Sequence, residues 1–528
     1  MKIKESVFKG RTIARSSDLT NDERLYLFDK TKRLKQAFMD RDEEILDEFR
    51  VKSNIGIYLC FFEPSTRTKE SFKNAAKFLG AKVSNLDVEA SSVAKKESYQ
   101  NTIKALAGYN NSIFIVRSRV EGLCTWLKDV SETFAQKNGL YQPAFINGGD
   151  GKHEHPTQEE LDQFSFLEHL NWDNSKIHIA LVGDLFHGRT VHSKIWGLDI
   201  FKEVKVDLIA PQVLQMPDYY VKEMEKKGFI VRKFESLKDY YKGKDIASIQ
   251  YFTRLQIERM GEAIKQMENE LREAITFSTE FMDMVPGNTK LYHPQPFDKE
   301  KPTIPQEISK TSLNGYDNQS INGFFYRITL LNSVAGNIGH DFEGKILEKI
   351  EFKEDFIEKV SIEKKEKPEP KVGIRPVSNG IVVDHICKGD NAKEIWKHLH
   401  LILRITKLNN IGFCGVCESG RGKTKGILVL PEEKEFGESI VKRLAAVCPG
   451  STINVIKNNQ VEKKLRLHMP PRVYGFAEIA CKNKNCISRE ELLEGTPPEF
   501  HRYTSKVFSC KYCDTTHSFK EIWKEHWN

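Results

Sequence analysis

An apolar run from Ile55 to Phe62 leads straight into Glu63-Pro64-Ser65-Thr66-Arg67-Thr68 and then a helix-like stretch, Lys69 to Leu79. A proline near the first turn followed by hydroxyl residues describes a helix N-terminus, whose free N–H groups and positive dipole end favour an anion. Arg67 adds a forked donor suited to phosphate. Taken alone, the same residues describe a capped helix with a surface arginine. Three further features point toward binding. Ser91-Ser92-Val-Ala-Lys95-Lys96-Glu97 is a polar loop with a lysine pair, Arg117 directly follows the apolar Ser112 to Val116, and His155-Pro156-Thr157-Gln158 follows Asn147-Gly-Gly-Asp-Gly151. Each has an ordinary reading as a solvated face or a structural histidine. Together they outline an electropositive pocket. Two more arginines, Arg189 and Arg254, follow later apolar runs, and each can pair with a carboxylate through two hydrogen bonds.

The cysteines suggest different chemistry at the other end of the chain. Of ten, only Cys60 and Cys124 lie in the first half. Cys481-x4-Cys486 and Cys510-x2-Cys513 form two close pairs whose spacing suits one tetrahedral zinc site with four thiolate ligands, closed and therefore structural. Two chance pairs of buried cysteines are the alternative. Cys414-x2-Cys417 sits in an apolar run without a second pair nearby and reads as core; if the run is a strand, its thiols face opposite sides.

These residues need a scaffold, and 528 residues predict about three or four domains. A net charge of +7 is slight for this length, so neither a nucleic-acid nor a membrane-surface role follows from charge. With 39% hydrophobic residues and a mean hydropathy of −0.49, the chain can bury several cores and still face water. No run approaches the roughly 18 to 20 apolar residues of a membrane span, and the first residues lack a signal-peptide pattern, so a cytoplasmic location is expected. From about 52 to 340, short apolar runs alternate with amphipathic stretches: Ile55–Phe62, Ser112–Val116, Ile177–Val182, Val206–Ala210 and Ile246–Gln250. Runs this short suit buried parallel strands, so the class is α/β, with ligands expected beyond the strands' carboxyl ends. From about 344 to 370 the chain is Glu/Lys-rich and reads as a linker, helical in part and solvated at its end. Three strand-like runs follow, Gly380–Ile386, Lys425–Leu430 and Ser451–Ile456. With helical stretches at about 391–403 and 435–447, they suggest a small α+β sandwich.

P-S-T-R-T, S-x-x-K-K, V-R, G-D-G followed by H-P-T-Q, V-G-D-L-x-x-G-R-T-V-H-S, T-R-L-Q-x-E-R and H-P-x-P occur here in one order. In that order and spacing the first 340 residues resemble aspartate carbamoyltransferase catalytic chains. The resemblance implies two parallel-sheet α/β domains. Residues 1–155, completed by a helix at about 320–342, would bind carbamoyl phosphate, and 156–319 would bind L-aspartate. It further implies transfer of the carbamoyl group to the aspartate amine, in pyrimidine biosynthesis, with no catalytic cofactor. Ser65, Thr66, Arg67 and Thr68 would hold the phosphate. Thr68, Arg117 and His155 would donate to the carbamoyl oxygen, and Gln158 with the backbone at Pro294, Gln295 and Pro296 would orient the carbamoyl NH2. Arg189 and Arg254 would take the aspartate carboxylates, with Gln256 orienting Arg254 or the substrate. Ser92 and Lys96 would reach into a neighbouring subunit's site, making the catalytic unit a trimer. The usual H-P-L-P-R is His293-Pro294-Gln295-Pro296-Phe297 here, a departure beside the carbamoyl position. Ornithine-using relatives typically carry H-C-L-P and lack the Ser92/Lys96 loop pattern.

Residues 373–528 resemble the regulatory chain of the same enzyme, with 343–372 as linker, 373–470 as the nucleotide-binding-type domain and 471–528 as the zinc domain. Asp384, His385 and Lys464 match nucleotide-site positions, so nucleotide effectors are implied partners. The family's other key lysine falls in the apolar Ile427–Leu430, where Lys423 or Lys425 would have to substitute. A threefold catalytic ring and a twofold regulatory contact together would give a hexamer. The competing readings are a non-catalytic scaffold, a carbamoyltransferase with another amine acceptor, and a zinc module that reads nucleic acid.

Overall fold

A computed structural model describes residues 5–51, 54–87, 96–109, 111–257, 260, 264, 266–348, 351–362, 377–408, 411–419 and 422–524. The chain divides into two compact units, one of Met1–Glu348 with Asn485–Ile487, the other of Lys349–Lys484 and Ser488–Asn528.

The first unit contains two parallel sheets. In one, β1 (Gly56–Phe61), β2 (Lys82–Asn85), β3 (Asn111–Ser118) and β4 (Ala144–Asp150) lie in the order β2-β1-β3-β4. In the other, β5 (Lys176–Val182), β6 (Glu203–Ile209), β7 (Ile230–Phe234), β8 (Ile249–Phe252) and β9 (Lys290–Tyr292) lie in the order β7-β6-β5-β8-β9. The central strands are rich in apolar residues, as expected of parallel strands covered by helices. The strand expected at Ile246–Gln250 runs instead over Ile249–Phe252, pairing Ile179 with Ile249 and Val182 with Phe252. The shift places Thr253 to Gln256 at the carboxyl end of β8.

The helix Tyr316–Ala335 ties this unit together, packing on the helices Asn21–Asp40, Thr66–Phe78 and Pro156–His169. It is buried on nearly every side and ends on Gly336, whose φ of 85° closes the last turn. Phe72, Phe164 and Phe325 are essentially inaccessible to water. A buried ring of this kind contributes roughly 1.5–3 kcal/mol.

In the second unit, β10 (Ile357–Lys359), β11 (Gly380–Ile386), β12 (Phe413–Glu418), β13 (Thr424–Pro431), β14 (Thr452–Lys457) and β15 (Gln460–Leu467) form an antiparallel sheet in the order β10-β15-β14-β11-β13-β12. The helices Ala392–Thr406 and Glu438–Val447 pack against each other, the first also on β12 and β13, in an α+β arrangement. β16 (Arg472–Tyr474), β17 (Glu499–Arg502), β18 (Val507–Cys510) and β19 (Thr516–Ser518) form a small sheet of their own.

Two further sequence expectations differ from the structure. The charged stretch after 343 is not helical among its described residues: Ile357–Lys359 is a strand paired with β15, because backbone hydrogen bonds to a free sheet edge need no apolar side chains. Residues 363–370 lie outside the described residues. Cys414 and Cys417 do occupy opposite faces of a strand, but β12 is the sheet edge, so both are half-buried rather than core. Among the described residues, no helix is long and apolar enough to cross a membrane.

Candidate active site

Six strand ends deliver side chains to one cavity of about 620 Å³ in the first unit. The segment after β1 brings Ser65 to Thr68, β3 ends on Arg117, and the segment after β4 brings His155 and Gln158. From the second sheet, the segment after β5 brings Arg189, that after β8 brings Arg254 and Gln256, and that after β9 brings Pro294, Gln295 and Pro296. Every substrate-site residue named from the sequence, Lys96 and Ser92 apart, therefore lies in one place. Lys96 is exposed and outside this cavity's lining, and Ser92 lies outside the described residues.

Local backbone form explains the placement. Ser65 is the N-cap of the helix Thr66–Phe78 but makes no side-chain capping bond, so the first-turn N–H groups stay available to a ligand. Gly149 has φ 116°, and a Cβ there would sit 2.6 Å from Nη1 of Arg117. Only glycine lets the backbone pass under that guanidinium. Asp184, fully buried, accepts from the backbone N–H groups of His187 at 3.0 Å and Gln256 at 3.3 Å. It thus ties the segment carrying Arg189 to the segment carrying Arg254.

The cavity is strongly cationic. Among the described residues its wall carries five arginines, Arg67, Arg117, Arg189, Arg254 and Arg327, against one carboxylate, Glu63. Arg117 donates to the Gly148 carbonyl at 2.8 Å and lies 3.4 Å from Glu63. Arg189 donates to the Gly151 carbonyl. Burial lowers the pKa of Arg117 and lowers that of Arg327 to about 10, which leaves Arg327 charged at neutral pH. His155, with Nε2 3.4 Å from Thr68 Oγ1, is held well below the usual imidazole range by burial and then by Arg117, Arg189 and Arg327. It is a neutral hydrogen-bonding group. His293 is likewise pushed down to about 3 by burial and by Arg254 and Arg67.

Sequence reading missed several members of the wall. Arg327 donates to Ser71 Oγ at 2.8 Å and Thr157 Oγ1 at 3.3 Å, with its guanidinium 4.9 Å from the ring of Phe72. It is the only cationic residue in the largely buried helix Tyr316–Ala335, a signal that it needs a partner. Gln319 from the same helix, Thr253 and Glu63 also line the cavity.

Cys481, Cys486, Cys510 and Cys513 are all buried, with their sulfurs within 4.8 Å of one another. Cys481 and Cys513 sulfurs are 3.6 Å apart, close to the roughly 3.8 Å edge of a tetrahedron with metal–sulfur bonds of about 2.3 Å. The donor set and its spacing fit a four-thiolate metal ion. On β11 and β14, Asp384 faces Thr452, and Lys464 of β15 faces Asn454 on the same side of the sheet. His385 Nδ1 is 3.3 Å from Thr452 Oγ1. Lys425 Nζ bridges both oxygens of Asp384 at 2.6 and 2.7 Å, whereas Lys423 belongs to the Ser419 turn.

Comparison with known proteins agrees with this architecture. Residues 11–168 match the aspartate/ornithine carbamoyltransferase carbamoyl-phosphate-binding domain. Residues 372–468 match the aspartate carbamoyltransferase regulatory chain's allosteric domain, and 471–523 its metal-binding domain. Protein PyrBI of Treponema denticola is 50% identical over 99% of this chain and 100% of its own length. Protein PyrBI of Thermotoga maritima is 48% identical over 98% and 99%. Aspartate transcarbamoylase from Trypanosoma cruzi, solved with N-(phosphonacetyl)-L-aspartic acid, is 29% identical with a TM-score of 0.53, covering 62% of this chain and 97% of that one. This chain belongs to the aspartate carbamoyltransferase family, in the form that carries catalytic and regulatory parts on one polypeptide.

Proposed function

We propose that the chain transfers the carbamoyl group of carbamoyl phosphate to L-aspartate, releasing N-carbamoyl-L-aspartate and phosphate, as a cytoplasmic step of pyrimidine biosynthesis. The observation that carries this reading is the meeting, in one cavity, of an anion-binding helix start, a neutral histidine and two arginines from the second sheet.

The aspartate nitrogen attacks the carbonyl carbon, its bond to that carbon forms, and the bond from carbon to the phosphate oxygen breaks. The phosphate leaves with the surplus proton of the amine. No protein nucleophile is required, so positioning and charge stabilisation supply the acceleration. The N–H groups and hydroxyls of Ser65, Thr66 and Thr68, with Arg67, hold the leaving phosphate. Thr68, Arg117 and His155 donate to the carbamoyl oxygen as negative charge develops, and a neutral imidazole serves there as a fixed dipole. Gln158 and the Pro294–Pro296 turn receive the carbamoyl NH2. Arg189 and Arg254 take the two carboxylates, which favours a dicarboxylate acceptor.

Ser92 and Lys96 complete the site of an adjacent subunit in a trimer. The exposure of Lys96, away from its own chain's cavity, supports this. The four cysteines hold a structural zinc ion, and the face carrying Asp384, His385 and Lys464 receives a nucleotide effector, with Lys425 supplying the charge at Asp384.

A radiolabelled carbamoyl-transfer assay tests the reading, first with aspartate and then with ornithine. Aspartate turnover alone supports it. Ornithine turnover, or none with either amine, contradicts it. For the shared site, mixed oligomers of inactive Arg67→Ala and inactive Lys96→Ala chains should regain part of the activity; none after confirmed mixing removes the shared-site claim.

A further inference from the structure

Gln158 is held from behind. Its Nε2 donates to Oδ1 of Asp162 at 2.9 Å, and the same oxygen accepts Nε2 of Gln319 at 2.6 Å. Gln319 in turn accepts the backbone N–H of His293 at 3.0 Å, at the residue that opens the Pro294–Pro296 turn. One carboxylate oxygen therefore sets two separate parts of the cavity wall.

The other oxygen of Asp162 lies 2.7 Å from Lys194 Nζ, which is also 2.6 Å from Glu159 Oε2, and all three side chains are fully buried. Glu159 is itself fixed by Ser193 Oγ at 2.7 Å and Gln163 Nε2 at 2.5 Å. Burial pushes the Asp162 carboxyl up, but Lys194 at 2.7 Å opposes this, and with Lys194 donating to one oxygen the other is left as the acceptor for both amides. Both glutamine amides must then turn their NH2 groups toward it. Charge thus fixes the orientation of Gln158, leaving its oxygen for the cavity, where an amide substrate brings an N–H donor.

A buried ion triad adds little net stability compared with apolar side chains of similar volume, so packing alone does not account for one behind this wall. Building on the carbamoyl-transfer reading above, we propose that Asp162, held by Lys194, is a positioning residue that aims the Gln158 oxygen and the His293–Pro296 turn at the NH2 of the carbamoyl group.

Asp162→Asn tests this with little risk to folding, because Lys194 stays paired with Glu159. Titration calorimetry on the full chain would use two probes: inorganic phosphate, which needs only the Ser65–Thr68 segment, and phosphonoacetamide, which adds a primary amide. Affinity for phosphonoacetamide should fall about 5- to 100-fold, the equivalent of leaving one buried amide group unsatisfied, while phosphate changes less than about twofold. The substituted side chain would offer an NH2 of its own and turn Gln158 around; adding Gln158→Glu restores an outward oxygen and should return part of the lost selectivity. If Asp162→Asn does not fold, Gln319→Leu cuts the arm to His293 alone, and the same selectivity must still drop. Unchanged selectivity, or equal weakening of both probes, overturns the proposal. A wild-type chain that binds neither probe overturns the carbamoyl-transfer reading beneath it instead.

Discussion

The cavity of the first unit and the polar clusters later in the chain arrange their charges in opposite ways. Around the cavity, five arginines converge with one carboxylate for company, and helix N–H groups are left open beside them. Elsewhere in the chain, Asp384 is paired internally by Lys425, and four buried thiols lie within 4.8 Å of one another. Donors that face open space are suited to a ligand that comes and goes. Donors that close on a metal ion are suited to holding a fold, and a cation already paired, as Lys425 is, has less charge to offer a ligand. The cost of gathering like charges around the cavity is offset when a dianion arrives, which is how binding energy becomes available for catalysis.

If that contrast is right, the largest effect comes from opening the cysteine cluster. Cys510→Ser should release the metal and unfold the local structure, since structural zinc contributes on the order of 10–16 kcal/mol in small domains. Metal analysis should show one zinc per wild-type chain and none in the variant; a variant that keeps zinc and its thermal transition breaks the comparison. Next comes the cavity. Arg67→Ala should lower kcat by about 10²- to 10³-fold with little change in melting temperature, as loss of one preorganised donor does elsewhere. A kcat within tenfold of wild type would show that the phosphate is held by other groups.

A smaller effect concerns pH. His155, His192 and His293 are buried neutral, His192 pushed down to about 4 and His293 to about 3, chiefly by burial. The unfolded chain takes up protons on these groups near pH 6.5 and the folded chain does not, so stability falls as pH drops below about 6.5. Each contributes about 1.4 kcal/mol per pH unit well below that point. Urea unfolding at pH 7.5, 6.5, 5.5 and 4.5 should show the slope, and His293→Gln should flatten it; an unchanged slope contradicts the assignment. The smallest effect is expected at Lys425. Lys425→Met should leave the rate without nucleotide within about twofold and alter only the response to added nucleoside triphosphate, because its partner is an internal carboxylate. A large fall in basal rate would join the two regions in a way this contrast does not anticipate.

What was legible in the sequence was what is local in the chain. Arg117 directly follows an apolar run, Ser65–Thr68, Arg189 and Arg254 follow others within a few residues, and His155 follows a Gly/Asp segment; parallel strands bring such positions to one edge. Arg327 and Gln319 were not legible in that way, since they reach the cavity from a helix far along the chain from His155 and Asp162: Gln319 and Asp162 are 157 residues apart. Strand β10 was hidden because its pairing is made by backbone, in a stretch whose side chains read as solvated. The partner of Asp384 depended on the register of two strands not consecutive in the chain, which places Ile386 opposite Gly426 and Lys425 beside the carboxylate. Cys414 and Cys417 looked like core because an edge strand and a central strand have the same apolar pattern.

The central claim is that the cationic wall binds a phosphate and a dicarboxylate at once. Calorimetric titration of the full chain with N-(phosphonacetyl)-L-aspartate measures this directly. Saturable binding at one site per chain is expected, at least about 100-fold tighter than phosphate or succinate alone, and weakened separately by Arg67→Ala and by Arg254→Ala. Affinity no better than that of phosphate alone, or insensitivity to Arg254→Ala, would contradict it.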